Sequence, residues 1–168
     1  KRRLFAELDG RVRPDALHAT NTSAIPVHTL SDGRPLIGLH FFNPVHAMPL
    51  VEVVRPDGVP DDIVAAGVQF VQAIGRLPLV VKDSPGFLVN RVLMPYLMEA
   101  ARMVGEGAGI RSVDDAMLSF GMPMGPLRLL DEVGLDVALH VARTLTGAFP
   151  RLPDAAGLPE ARVAGCDS

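Results

Sequence analysis

The chain has 168 residues, a formal net charge of −3, and 48% apolar against 21% charged residues. That composition excludes a wholly disordered chain, and it lacks the basic excess that phosphate neutralisation demands of a nucleic-acid binder. No uninterrupted apolar run approaches the roughly 20 residues that span a bilayer, so no membrane span is expected. The basic start Lys1-Arg2-Arg3 is soon followed by Glu7 and Asp9, without the apolar stretch of a secretory signal. The single cysteine, Cys166, has no internal partner, and the expected compartment is reducing, hence cytoplasmic. The chain opens at Lys1, without Met and inside a helical pattern, which leads to the expectation of a fragment.

In chain order, Leu4, Phe5 and Leu8 predict the end of an amphipathic helix, and Asp9-Gly10 and Arg13-Pro14-Asp15 predict turns. Residues 16–20 read as a short strand, closed by the polar loop Asn21-Thr22-Ser23 and a short segment over 26–30. Residues 36–42 and 50–54 read as two more strands. Residues 60–74 read as a helix, with Asp61 and Asp62 near its positive end and Gly75 to stop it; Ile63, Gly67, Phe70 and Ile74 share a face. The unbroken apolar run 77–81 predicts a strand buried on both faces.

Past Ser84-Pro85-Gly86 only helices are expected. These cover 87–106, with Pro95 inside, then a short helix signalled by Ser112 and Asp115 and ending near Gly121, and a third helix over 127–145. The glycine run 105–109 follows a helix rather than a strand. It therefore reads as a terminator and not as a nucleotide loop. The predicted fold is α/β followed by all-α: residues 1–82, residues 83–146, and an ill-ordered tail over 147–168.

Three places carry unusual polar residues. Glu52 stands between valines in a strand that reads as buried, where an unpaired carboxylate is costly. His40, on the neighbouring strand, is a candidate partner, and a histidine oriented by a carboxylate is suited to acid–base work near neutral pH. The alternative is an edge strand with Glu52 exposed and His40 a satisfied core histidine. The even spacing of His40, His46 and Glu52 also admits a metal-dependent hydrolase, although metal-binding histidines normally sit closer on one element. Asn90 aligns with Met94, Leu97 and Ala101 on the apolar face of its helix, and so calls for a backbone partner or a ligand. Asn21-Thr22-Ser23 closes a strand, where open α/β sheets collect ligands; an Asx or Ser/Thr turn is the other reading.

Five stretches come in the order seen in a known family: Asn21-Thr22-Ser23, Gly38–Pro44, Leu50–Val53, Lys82–Arg91, and Pro123–Pro126 with Leu130-Asp131. On these the chain resembles the L-3-hydroxyacyl-CoA dehydrogenases of fatty-acid β-oxidation over residues 1–146. The resemblance implies the C-terminal part of an NAD-binding Rossmann domain, followed by the helical C-terminal domain that serves substrate binding and dimerisation. It implies NAD as cofactor, an acyl-CoA substrate, His40 as general base and Glu52 as its orienting carboxylate. It further implies Ser23 and Asn90 near the acyl group, and Lys1, Ser23 and Asn43 on the cofactor. Residues 44–49 look most like the multifunctional α-subunits, which carry an enoyl-CoA hydratase/isomerase domain. A homodimer or a complex with a thiolase subunit would then follow. A monofunctional 3-hydroxybutyryl-CoA dehydrogenase and a non-catalytic helical interaction module are the alternatives. The family's glycine-rich βαβ unit is not in these residues, so the chain by itself is expected to be inactive.

Overall fold

In the computed structural model, residues 1–8, 11–13, 15–150 and 152 are described. They form two units, the first ending at Leu88 and the second beginning at Val89.

The first unit contains α1 (Arg2–Leu8), β1 (His18–Thr20), a 3-10 helix (Val27–Leu30), β2 (Leu36–Phe41), β3 (Leu50–Arg55), α2 (Asp61–Ala73) and β4 (Leu77–Lys82). The strands form one mixed sheet in the order β1-β2-β3-β4. β1 and β2 are parallel, β2 and β3 antiparallel, and β3 and β4 parallel across the α2 crossover.

Strand alternation divides the apolar residues between the two faces of the sheet. Ile37, Leu39, Val51 and Val53 pack with Val59, Val64 and Val71. Leu36 and Val54 pack with Phe5, Val27, Leu30 and Phe87. His40 and Glu52 keep the parity of Leu36 and Val54, so they share that second face. Gly38 lies between Leu36 and His40 on β2 for a steric reason. A Cβ there would stand 2.7 Å from Val54 Cβ and 3.0 Å from Val27 Cγ2. Gly38→Ala is therefore expected to destabilise the unit by about 1–3 kcal/mol, the usual cost of overpacking, as read from denaturant midpoints.

Several predicted elements differ from the observed ones. β4 is not buried on both faces. It is the terminal strand of the four, with Leu77 63% and Val80 50% exposed. An apolar run alone cannot distinguish a central strand from a terminal one. On α2 the buried residues are Val64, Gly67 and Val71, whereas Phe70 and Ile74 are largely exposed, so the packed face is rotated from the predicted one.

The second unit holds α3 (Val89–Gly105), α4 (Ile110–Phe120), α5 (Pro126–Val133) and α6 (Leu135–Ala148). α3 continues through Pro95, and Met94, Leu97 and Ala101 are buried along it as their spacing predicts. α4 begins earlier than its predicted cap. Gly109 is the N-cap, and Ser112 and Asp115 lie inside the helix. The helix predicted over 127–145 is two helices, because Gly134 takes φ +90, a value no α-helical residue adopts. In the 105–109 run, α3 ends at Gly105 and Gly109 opens α4, consistent with a terminator. α6 occupies the start of the expected tail; residues 153–168, including Cys166, lie outside the described residues.

Asp114 of α4 accepts the backbone N–H groups of Leu127 and Arg128 and thereby caps α5. Burial, and then the Asp114 carboxylate, raise the Tyr96 hydroxyl above its ordinary pKa of 10.0. Because the folded-state value is the higher one, this contribution to stability is complete below pH 10 and is lost as pH rises above it. Tyr96→Phe is expected to flatten that alkaline loss, as followed by thermal melts across the alkaline range.

Candidate active site

The site grows from the register of β2 and β3. His40 faces Glu52 directly across the antiparallel pair, and cross-strand neighbours on one face are close enough to interact. His40 Nδ1 lies 2.7 Å from Glu52 Oε2. Both residues are buried, His40 at 3% and Glu52 at 0% exposure. A carboxylate oxygen only accepts, so the ring proton sits on Nδ1 and the Nε2 lone pair is left for a ligand. The other carboxylate oxygen, Oε1, accepts the backbone N–H of Leu88 at 2.9 Å. Both oxygens of this buried acid are therefore engaged, which is the condition for tolerating it there. Of the two readings open at the sequence level, the geometry is that of the buried pair.

The connector after β4 supplies further contacts to this pair. Gly86 and Phe87 both take positive φ, 70 and 51. Such a conformation is costly for an aromatic residue and persists only where its surroundings enforce it. Here it turns the Phe87 ring inward, 2% exposed, to 5.5 Å from the His40 ring, and directs Leu88 N–H at Glu52. Phe42 lies against the same imidazole, 4.6 Å between centroids. The His40 imidazole is thus held by a carboxylate at its edge and by two aromatic rings.

Two of the other candidates sit on neighbouring loops. β1 and β2 are parallel, so the loops leaving them emerge at the same end of the sheet. Ser23 is exposed on the first loop and Asn43 on the second. Asn21 Oδ1 accepts Phe41 N–H at 3.2 Å and fastens the first loop to the end of β2. Thr22 is buried, and its Oγ1 accepts Ile25 N–H, so this part of the polar loop is also a Ser/Thr turn. Lys1 stands exposed ahead of α1, and Asn90 is half-buried in the first turn of α3, in the second unit. His46 is exposed on the loop before β3, where its carbonyl accepts from Arg76. Among the described residues no three His, Cys, Asp or Glu side chains gather as metal ligands, so the set His40, His46 and Glu52 is not assembled.

Sequence reasoning gives no role to Phe42, Phe87, the Leu88 amide or Asp83. Asp83 belongs to one of the family stretches, but its partners lie more than fifty residues away and leave no local signal.

The first unit is a Rossmann-like mixed sheet with a buried imidazole–carboxylate pair toward the carboxyl end of β2, and a helical unit follows it in the chain. Residues 1–84 match the family described as 3-hydroxyacyl-CoA dehydrogenase, NAD binding domain, and residues 86–161 match 3-hydroxyacyl-CoA dehydrogenase, C-terminal domain. The chain belongs to the 3-hydroxyacyl-CoA dehydrogenase family. It is 39% identical to FadB2 of M. tuberculosis, at a TM-score of 0.88 over 97% of this chain and 61% of that one. It is 38% identical to the (S)-3-hydroxybutyryl-CoA dehydrogenase PaaH1 of Ralstonia eutropha, also at 0.88, over 97% of this chain and 60% of that one. A 3-hydroxybutyryl-CoA dehydrogenase of Escherichia coli K12 is 35% identical at 0.86, covering 98% of this chain and 37% of that one. The chain therefore spans about three fifths of the first two structures.

The cofactor of the matched domain is NAD. The residues present fit its reactive end: an Nε2 lone pair beside two loops bearing amide and hydroxyl groups, at the carboxyl ends of parallel strands. The glycine run between α3 and α4 follows a helix, so it does not supply the pyrophosphate turn. Among the described residues no helix is long and apolar enough to cross a membrane.

Proposed function

We propose that this chain carries the catalytic base of an NAD-dependent (S)-3-hydroxyacyl-CoA dehydrogenase, with a short-chain substrate of the 3-hydroxybutyryl-CoA type. The observation that carries the reading is the buried 2.7 Å contact of His40 Nδ1 with Glu52, which leaves Nε2 for the substrate hydroxyl. In the oxidation direction His40 Nε2 takes the proton of the 3-hydroxyl while the C3–H bond gives up its hydride and the C3 carbonyl forms. NAD, when bound, supplies the hydride acceptor. Glu52 keeps the proton on Nδ1 and stabilises the imidazolium that results. Ser23 and Asn90 contact the acyl-CoA near C3, Ser23 and Asn43 the nicotinamide side, and Lys1 the cofactor.

The short-chain reading is supported by likeness to two enzymes named for 3-hydroxybutyryl-CoA at 38% and 35% identity. The multifunctional α-subunit reading, with its hydratase and thiolase partner, has residues 44–49 in its favour. A 23% identical neighbour, the dehydrogenase part of a C. elegans multifunctional enzyme, supports the fold alone. The test is NADH consumption by the complete protein that carries this sequence, with acetoacetyl-CoA and with longer 3-ketoacyl-CoA esters. Fastest turnover of acetoacetyl-CoA is expected. No turnover of any ester would overturn the dehydrogenase reading, and a preference for long chains would overturn the short-chain part. The 168-residue chain alone is expected to be inactive for want of the glycine-rich turn, and activity from it would overturn that expectation.

A further inference from the structure

We infer that Asp83 is a positioning residue of the reaction, holding the Ser23 loop to the same connector that fixes the His40–Glu52 pair; this rests on the dehydrogenase reading above. Asp83 directly follows β4, and its side chain is only 3% exposed. Its Oδ1 accepts Val27 N–H at 2.8 Å, and its Oδ2 accepts His28 N–H at 2.7 Å. His28 Nδ1 also lies 2.7 Å from Oδ2. One carboxylate thus takes two successive backbone donors at the start of the 3-10 helix, from the far end of the unit in sequence. Gly86 N–H, three residues on, reaches the Ala24 carbonyl at 3.5 Å, a long contact that adds little by itself.

The segment 21–28 is therefore held at two ends. Asn21 binds it to Phe41, the residue after His40, and Asp83 binds it to the connector. That connector is the stretch that seats Phe87 on the His40 ring and directs Leu88 N–H onto Glu52. Ser23 and the base are consequently located by one piece of backbone, with Asp83 as the bond on the loop side.

The test is a kinetic double-mutant cycle on the complete protein, using acetoacetyl-CoA and NADH, with Ser23→Ala, Asp83→Asn and the double variant. Asp83→Asn keeps the shape but replaces one acceptor oxygen by a donor facing an N–H. It is expected to lower kcat/KM for acetoacetyl-CoA by about tenfold or more, the scale of a sub-ångström misplacement. The double variant should be no worse than Ser23→Ala alone to within about twofold, because both changes remove one function. His28→Ala leaves both backbone bonds and should lose less than about threefold. If Asp83→Asn is too unstable to assay, Asp83→Ser retains a capping oxygen and replaces it in the cycle. Multiplying losses in the cycle, a harmless Ser23→Ala, or unchanged kinetics in Asp83→Asn would each overturn the inference while the dehydrogenase reading stood. An inactive wild type would overturn that reading first, and the inference with it.

Discussion

Replacing His40 by glutamine in the complete protein is expected to lower kcat for acetoacetyl-CoA reduction by about 10³, within the usual range for losing a general acid–base. The glutamine would keep a side chain of similar length between Phe42 and Phe87, and an amide able to donate to Glu52. The buried carboxylate would therefore retain a partner, and the fold should survive. What disappears is a group that can hold the reacting proton at the position of Nε2. KM for NADH should change little, since the ring is placed by β2 and not by the cofactor. Activity within about tenfold of wild type would remove His40 from the role of base.

Glu52→Gln should be nearly as severe, for a different reason. Glu52 serves both the ring Nδ1–H and the Leu88 amide. A glutamine has one oxygen to offer. If that oxygen stays on Leu88, its NH₂ faces Nδ1 and favours the tautomer protonated at Nε2, the nitrogen that must accept the substrate proton. If it stays on His40, the Leu88 N–H is opposed by another donor, and a buried unsatisfied group costs about 1–3 kcal/mol. In either orientation the loss in kcat is expected at about 10²–10³, with a lowered melting temperature in the second. A merely structural Glu52 would give the lower melting temperature with unchanged kcat for the folded fraction, so measuring both separates the roles.

The sequence makes the pairing of these two residues readable because strand periodicity is simple. Glu52 is flanked by valines, and a neighbouring strand candidate brings a histidine of the same parity, so one register joins them. Asn90 is readable in part, since helical spacing sets it on the face of Met94 and Leu97. Elsewhere the local pattern misleads. The run at 77–81 has the composition of a central strand, yet its place at the end of the strand order leaves Val80 half exposed. Gly134 fits an apolar stripe by spacing, but its positive φ divides one predicted helix into two.

What the sequence by itself determined is the division into an α/β and a helical unit, the family, and the residue types of the paired histidine and carboxylate. These depend on short-range periodicity and on motifs that are local in the chain. Only the tertiary structure decided how that histidine is held. The second oxygen of Glu52 finds an amide 36 residues away, and Asp83 finds its two amides at separations of 56 and 55. Phe87 reaches His40 through a backbone turn that no side-chain pattern announces. Such contacts are set by where the sheet and its connector place backbone N–H groups, and backbone donors carry no residue-specific signature.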